Sequence, residues 1–456
     1  MALLSRLIAR LRSSKETRIL LKGSAVTFGT KVIGSFGTLA FSILLARYLG
    51  ADAAGVYYTA ASAAFLIGMI AQFGMPGLVM RETAASFAGG SKGYRVTLQR
   101  IQRVLMAGLL AGMVALVALS WAVASLYGRA ELRPLLMIWA FSNLAMAALA
   151  IAGQILRGAQ SFHKSGFILF ASVSLFNLAF LSAMAFGLAD LFGLKPLMAA
   201  MFAQIAAAVV AAALAIWWAK TTLAGMPRTM WNGVSMLNYR RIVGTGFSLL
   251  LNMLSTSTMR WADTLILAAF VLSSEVAVYN SAARVGAFVL FVAALMGTVA
   301  GPRMTSAFRN GRRGELGRTF AIATLAGTAI VLPIAIMAGF FAKSIMGIFG
   351  PDFTAGAGVL QILVIGAIIS ALVGPYGELL IAAGKEVHVR NSAVAACIIG
   401  ILMLFILTPI FGVCGTAAAM TISISTRNLW NLIAGWHVLG IEPAWLRLLG
   451  RRQIST

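Results

Sequence analysis

The chain has few acidic residues, few cysteines and few histidines for its length of 456 residues. It holds 12 Asp and Glu, 2 Cys and 3 His. Cys397 and Cys414 lie in or beside apolar runs, so neither a disulfide framework nor a Cys/His metal site is indicated. No nucleophile motif and no phosphate-binding glycine loop is visible either. We therefore expect a protein that is not an enzyme, with no catalytic residue, no metal and no cofactor.

Apolar residues are abundant instead. The chain is 60% hydrophobic and 11% charged, with a mean hydropathy of +0.93. This composition indicates an all-α polytopic membrane protein. A formal charge of +24 would suggest a nucleic-acid partner in a soluble protein. Here the basic residues lie mainly in loops between apolar runs, which favours a membrane surface over nucleic acid.

Twelve apolar segments are long enough to span a bilayer, and an even number places both termini on one side. One set of alternate loops carries most of the basic residues, which predicts cytoplasmic N and C termini. The other set carries only Arg47, Arg129, Arg133, Lys195 and Lys343. The predicted spans are 20–46, 54–80, 104–127, 134–156, 166–189, 197–219, 242–268, 276–300, 319–341, 357–381, 388–408 and 413–436.

The second half of the chain repeats the first. A shift of 222 residues pairs Leu45 with Leu267 and Tyr57 with Tyr279. Two six-span halves of equal parity are parallel repeats, which predicts two lobes related by a pseudo-two-fold axis along the membrane normal. The first 14 residues resemble an interfacial amphipathic helix, with a frayed basic tail as the alternative. The predicted domains are a cytoplasmic N-terminal segment 1–19, an N-lobe 20–219, a cytoplasmic linker 220–241, a C-lobe 242–436 and a cytoplasmic basic tail 437–456.

Six charged residues fall inside predicted spans once Lys22 and Arg390, at the cytoplasmic ends of their spans, are counted with the loops. An ionised group at such depth costs about 2.5–3.5 kcal/mol on insertion scales, so it usually faces a water-filled cavity or the bundle interior. Arg260 and Asp263 are three residues apart and are expected to share one helix face. The basic members outnumber the acidic ones, which predicts a positively charged cavity. The set is Lys31, Arg260, Asp263, Arg284, Glu378 and Arg427.

Each assignment has an alternative. Arg260 and Asp263 could neutralise one another, Lys31 could extend toward the interface, and Arg427 could pair with backbone carbonyls. Asp263 or Glu378 could couple transport to a cation, or Glu378 could be a rim charge. Pro76 and Pro375 could be hinges for alternating access or static kinks.

The segment Leu45–Tyr57, with the pattern L-A-R-x-L-G-x-x-x-x-G-x-Y, and Arg81 after the second span resemble a known family. It is the polysaccharide-export branch of the multidrug/oligosaccharidyl-lipid/polysaccharide (MOP) superfamily, which includes O-antigen-type flippases. The resemblance implies a V-shaped, MATE-like fold with a cavity lined mainly by the first, second, seventh and eighth spans. It also implies flipping of polyprenyl-diphosphate-linked oligosaccharides, such as undecaprenyl diphosphate derivatives, across a bacterial inner membrane.

The sequence thus predicts a flippase whose cationic cavity holds a diphosphate. The expected cavity residues are Lys31, Arg260, Asp263, Arg284 and Arg427, with Trp261 and Asn252 near the sugars. Expected partners are the lipid-linked substrate, membrane lipids, and a polymerase and glycosyltransferases, with coupling to H⁺, Na⁺ or the membrane potential left open. The alternatives are a cation-coupled multidrug exporter of the same superfamily and a non-transporting scaffold of a polysaccharide assembly complex.

Overall fold

The structure is a computed structural model that describes residues 15–89, 92–226, 228–232, 237–257 and 259–444. Over these residues it is built from helices and contains no strand. The predicted amphipathic helix at residues 1–14 and most of the predicted basic tail lie outside the described residues.

The helices differ widely in length, from single turns to 57 residues. In chain order they are α1 Lys15–Ala71, α2 Met75–Phe87, α3 Tyr94–Leu126, α4 Leu132–Gly158, α5 Phe162–Leu191, α6 Pro196–Ala224, α7 Arg228–Trp231, α8 Tyr239–Ser257, α9 Met259–Ala268, α10 Ser273–Arg309, α11 Arg313–Phe340, α12 Ala342–Gly347, α13 Ala357–Val373, α14 Tyr376–Ala382 and α15 Glu386–Leu439. A 3₁₀ helix, Pro351–Gly356, precedes α13, and α5 includes two π-helical turns.

Nine of the described helices are long and apolar enough to cross a membrane, and the pair α8–α9, bent by 61°, would make a tenth. In the two longest of these helices a glycine with non-helical backbone angles interrupts the helix, Gly50 (φ 72°) in α1 and Gly412 (φ 55°) in α15. Each of these glycines falls between two predicted spans. The prediction of an all-α, multi-pass membrane protein is therefore confirmed, whereas the number twelve stays a prediction.

The helices break beside both predicted hinge prolines. Gly74, with φ 68°, precedes α2 and places Pro76 in the first turn of that helix. Gly374, with φ 80°, separates α13 from α14, and Pro375 is the N-cap residue of α14. Glycine adopts positive φ without steric cost, and proline fits the start of a helix because it has no N–H to satisfy there. The breaks are observed; their action as hinges stays a prediction.

The chain forms two compact units, which do not follow the repeat. The first unit holds the residues up to Phe41, Ile67–Ala118 and Met137–Leu250. In its interior α1 meets α5 so closely that a Cβ on Gly34 would overlap the carbonyl group of Phe170. Small residues at such crossings let helix backbones approach in membranes.

The second unit holds Ser42–Leu66, Leu119–Leu136 and the chain from Leu251 onward. Around Tyr376 it forms an aromatic core, with the Phe320 and Tyr376 ring centroids 4.5 Å apart. The Tyr376 hydroxyl donates to the carbonyl oxygen of Ile441 at 2.9 Å. This unit therefore combines segments from both halves of the repeat, and the lobe boundaries predicted from the sequence stay predictions.

Candidate functional site

Arg260 and Asp263 lie on the short helix α9 but point into different surroundings. Arg260 is exposed, whereas the Asp263 side chain is only 5% exposed. Asp263 Oδ1 accepts from the Thr264 backbone N–H at 2.6 Å, and Oδ2 accepts from the Tyr279 hydroxyl at 2.8 Å. The carboxylate is thus held by neutral donors of α9 and α10. It makes no ion pair within 4 Å with Arg260 among the described residues.

Arg284, on α10, supplies a second guanidinium beside Arg260. It is half-buried, and its charge is close enough to repel that of Arg260. The Arg284 guanidinium carbon lies 5.9 Å from the centroid of the Tyr58 ring, a cation–π contact. Two neighbouring guanidinium groups give this site a net positive charge. Such a site favours the binding of an anion.

Arg427 and Glu378 extend this group of charges. Arg427, on α15, is attracted by Glu378 and repelled by Arg260, although its distance to either carboxylate oxygen of Glu378 exceeds 4 Å. Glu378, on α14, packs against α10, where a Cβ on Gly297 would lie 2.8 Å from its carboxyl carbon. The structure therefore brings the twelfth predicted span to the cationic residues of the seventh and eighth.

Trp261, predicted as a sugar contact, is stacked on an aromatic residue of the first half of the chain. Its ring centroid lies 4.6 Å from that of Phe65, with an interplanar angle of 19°. Asn252 is exposed on α8 before the bend. Phe65 and Tyr58 were missed by sequence reasoning. The two consecutive tyrosines inside an apolar run, Tyr57 and Tyr58, are a sequence feature that could have indicated Tyr58 as a site residue.

Lys31 belongs to the first unit, whereas Arg260, Arg284 and Arg427 belong to the second. Its ammonium nitrogen lies 4.9 Å from the centroid of the Phe170 ring. Its charge is repelled by that of Arg157. The role of Lys31 in substrate binding stays a prediction.

The charged residues that α9 and α10 contribute to this site have no charged counterpart in the first half of the repeat. At the shift of 222 residues, the first half carries uncharged residues at the equivalent positions. The pairs are Arg260 with Thr38, Asp263 with Phe41, and Arg284 with Ser62. We call Arg260, Arg284 and Arg427 the arginine cluster. Guanidinium groups donate paired hydrogen bonds to phosphate, so the arginine cluster has the chemistry to bind a phosphorylated anion.

Comparison with known proteins agrees with this architecture. The model of the family described as polysaccharide biosynthesis protein matches residues 20–308, and the MatE model matches residues 249–406. No curated protein matches the sequence.

Solved structures show the same fold at low identity. An inward-facing MATE multidrug resistance transporter of the MOP superfamily is 13% identical, with 91% of this chain and 98% of that chain covered and a TM-score of 0.68. The lipid II flippase MurJ, in an inward closed conformation, is 14% identical, with coverage of 95% and 94% and a TM-score of 0.69. A MOP superfamily transporter from Pyrococcus furiosus, described as having a binding pocket of reverse polarity, is 13% identical, with coverage of 94% and 97% and a TM-score of 0.60.

The structural likeness shows the fold, and the family follows from the sequence match, which covers more than half of the chain. It also includes the Leu45–Tyr57 motif that carried the resemblance. The chain therefore belongs to the polysaccharide biosynthesis protein family, and its fold is the one seen in solved transporters of the MOP superfamily.

Proposed function

We propose that this protein is a flippase for a polyprenyl-diphosphate-linked oligosaccharide. It moves the substrate from the cytoplasmic to the outer leaflet of a bacterial inner membrane by alternating access. The observation that carries the proposal is the arginine cluster, in which the charge of Arg260 is repelled by those of Arg284 and Arg427 and no carboxylate lies within 4 Å of the three among the described residues.

A diphosphate fits such a cluster better than other anions do. It carries several negative oxygens on two adjacent phosphorus atoms, so more than one guanidinium can bind it at once. Binding it relieves the repulsion between Arg260 and Arg284, which is a cost the free protein bears. The polyprenyl tail stays in the bilayer, because transferring it to water would expose a large apolar area.

The remaining predicted residues take supporting roles in this proposal. Trp261 and Asn252 contact the sugars, and Lys31 adds positive charge for the phosphates. Asp263 and Glu378 tune the charge of the arginine cluster or couple transport to H⁺ or Na⁺. Pro76 and Pro375 act as hinges. Both termini are cytoplasmic, and the protein works with a polymerase and glycosyltransferases.

A cation-coupled multidrug exporter is the main rival. Such a protein needs a carboxylate that is free to receive a cationic drug. Asp263 is buried and already accepts from Tyr279 and Thr264, and the charge of Glu378 attracts the cationic Arg427, which competes with a cationic drug. These contacts favour an anionic substrate. A scaffold without transport would gain nothing from charges placed in spans.

The test uses purified protein in liposomes and a fluorescent polyprenyl-diphosphate-linked sugar. The double variant Arg260→Gln/Arg284→Gln is expected to reduce flipping by at least about 10-fold, because each lost charged hydrogen bond contributes roughly 1.5–3 kcal/mol. Arg133→Gln is the matched control, since the contact that the structure gives for Arg133 is with the Trp121 ring, at 3.2 Å from the guanidinium carbon to the ring centroid.

Three results would contradict the proposal. Unchanged flipping in the double variant would remove the role of the arginines, and export that persists in cells without them would indicate a scaffold. Transport of a cationic dye that Asp263→Asn abolishes would indicate a drug exporter.

A further inference from the structure

Two segments of the first half of the chain, Ser42–Leu66 and Leu119–Leu136, belong to the second compact unit, which otherwise consists of the chain from Leu251 onward. Three side chains from these segments donate hydrogen bonds to backbone carbonyls of the second half. The bonds are Arg47 Nε to Ile348 O at 2.7 Å, Tyr127 Oη to Leu265 O at 2.9 Å, and Arg129 Nη2 to Val271 O at 2.8 Å.

Two of the three accepting carbonyls lie at the C-terminal ends of helices, and that of Val271 lies in the turn between α9 and α10. Leu265 is in the last turn of α9, Val271 follows that turn, and Ile348 is the C-cap residue of α12. The end of a helix exposes unpaired carbonyls and carries a partial negative charge. Arginine donors are therefore favourable there, both as hydrogen-bond donors and as cations. Burial lowers the pKa of the Arg129 guanidinium, and Asp52 opposes that shift.

Gly55 marks a backbone contact beside these bonds. A Cβ on Gly55 would overlap the carbonyl oxygen of Ser273, the first residue of α10. Only a residue without a side chain allows α1 and α10 to meet this closely. Any larger residue would push the two helices apart.

The same stretch of α1 leads to the arginine cluster. Tyr58 lies three residues after Gly55, on the same helix face, and its ring contacts Arg284. Phe65 lies two turns further along and stacks on Trp261. A continuous series of contacts thus runs from the helix ends to the cationic residues, and every contact joins the first half of the chain to the second.

We propose that Arg47, Gly55, Tyr127 and Arg129 form a latch that holds one end of the transporter closed. The first half releases the second when these bonds break, and that release opens the route to the arginine cluster. The latch itself follows from the contacts above. Only its purpose, which is to control access of the substrate to the arginine cluster, rests on the proposed transport function. With cytoplasmic termini, it closes the outer side of the membrane.

The test measures opening directly and needs no substrate. Cys397 and Cys414 are replaced by Ser, and spin labels are attached at Glu131→Cys and Asp352→Cys, which are exposed positions on the two halves within the second unit. Double electron–electron resonance then reports the distance between the halves. The variant Arg129→Ala removes a charged hydrogen bond, so the ratio of long-distance to short-distance populations is expected to rise roughly 10-fold or more.

Matched controls separate the latch from general damage. Arg133→Ala, in the same segment, removes an arginine that lies over Trp121 and is expected to leave the distances unchanged. Gly55→Leu is expected to populate the long distance, whereas Gly301→Leu is not, because a Cβ on Gly301 meets nothing within 4 Å.

The latch is overturned if Arg47→Ala and Arg129→Ala both keep the distance distribution of the parent protein. It is also overturned if Arg133→Ala shifts the distribution as much as Arg129→Ala does. If Gly55→Leu does not fold, the two arginine variants still decide, because they add no bulk. A failure of diphosphate flipping with a working latch would reject the substrate and not the latch.

Discussion

The hydroxyl of Tyr279 is predicted to keep the arginine cluster available to substrate. It donates to Asp263 Oδ2 at 2.8 Å, in a site where the carboxylate is only 5% exposed. The variant Tyr279→Phe removes this donor and leaves a buried carboxylate oxygen without it. A hydrogen bond to a charged group contributes about 1.5–3 kcal/mol, so the variant should unfold at lower temperature.

The same variant should weaken substrate binding at a distance. A carboxylate that loses its neutral donor gains most by turning toward the guanidinium of Arg260 or Arg284, whose charges are already within range. The new ion pair would compete with the phosphates for that arginine. We expect the affinity for polyprenyl diphosphate, measured by calorimetry in detergent, to fall by roughly 10-fold.

A second substitution distinguishes this reasoning from general destabilisation. In Tyr279→Phe/Asp263→Asn the carboxylate charge is gone, so binding should return to the parent affinity or exceed it, even though stability does not recover. If Tyr279→Phe binds polyprenyl diphosphate as the parent protein does, the hydroxyl does not restrain Asp263. If the double variant binds as weakly as the single one, the loss comes from distortion and the argument fails.

Three further outcomes follow from the packing and charges. Glu378→Gln removes the carboxylate that attracts Arg427 and should raise diphosphate affinity by about 2–5-fold; complete loss of flipping with binding intact would instead identify Glu378 as the coupling group. Gly34→Leu should greatly reduce the yield of folded protein, because a Cβ there overlaps the Phe170 backbone, while Gly29→Leu should be tolerated because nothing lies within 4 Å; equal yields of the two would refute the close crossing of α1 and α5. Trp261→Ala should lower the affinity for the sugar-bearing lipid by about 10-fold, because an aromatic contact is lost, and should leave the affinity for bare polyprenyl diphosphate within about 2-fold of the parent value. Equal losses of affinity for the two ligands would show that Trp261 has no specific role with the sugars.

The relation between Arg260 and Asp263 shows where sequence reasoning reached its limit. Their spacing of three residues predicted one shared face and left mutual neutralisation open. In the structure Asp263 is held by Tyr279 and Thr264, and Arg260 is exposed. Helix periodicity gives the direction of a side chain to within a sector of the helix. Which neighbouring helix supplies a donor within that sector depends on tertiary packing.

The neighbours of Arg427 and Lys31 also could not be predicted from the sequence. Arg427 was expected outside the main cavity helices, yet its charge is within range of Arg260. Lys31 was expected beside the other basic residues, and the structure describes it against Phe170 in the first unit. Both residues are equally visible as charges in apolar runs, but the identity of their neighbours is not encoded locally.

The sequence by itself determined the membrane class, the all-helical architecture and the family, because hydropathy and the Leu45–Tyr57 motif are properties of short segments. It also located the basic residues of the arginine cluster, since a charge in an apolar run is conspicuous wherever the chain folds. Only the tertiary structure decided that the Tyr58 ring meets Arg284 and that Arg129 donates a hydrogen bond to the Val271 carbonyl of the other half. The physical reason is that these contacts join residues more than 140 positions apart, where helix packing alone sets the distances.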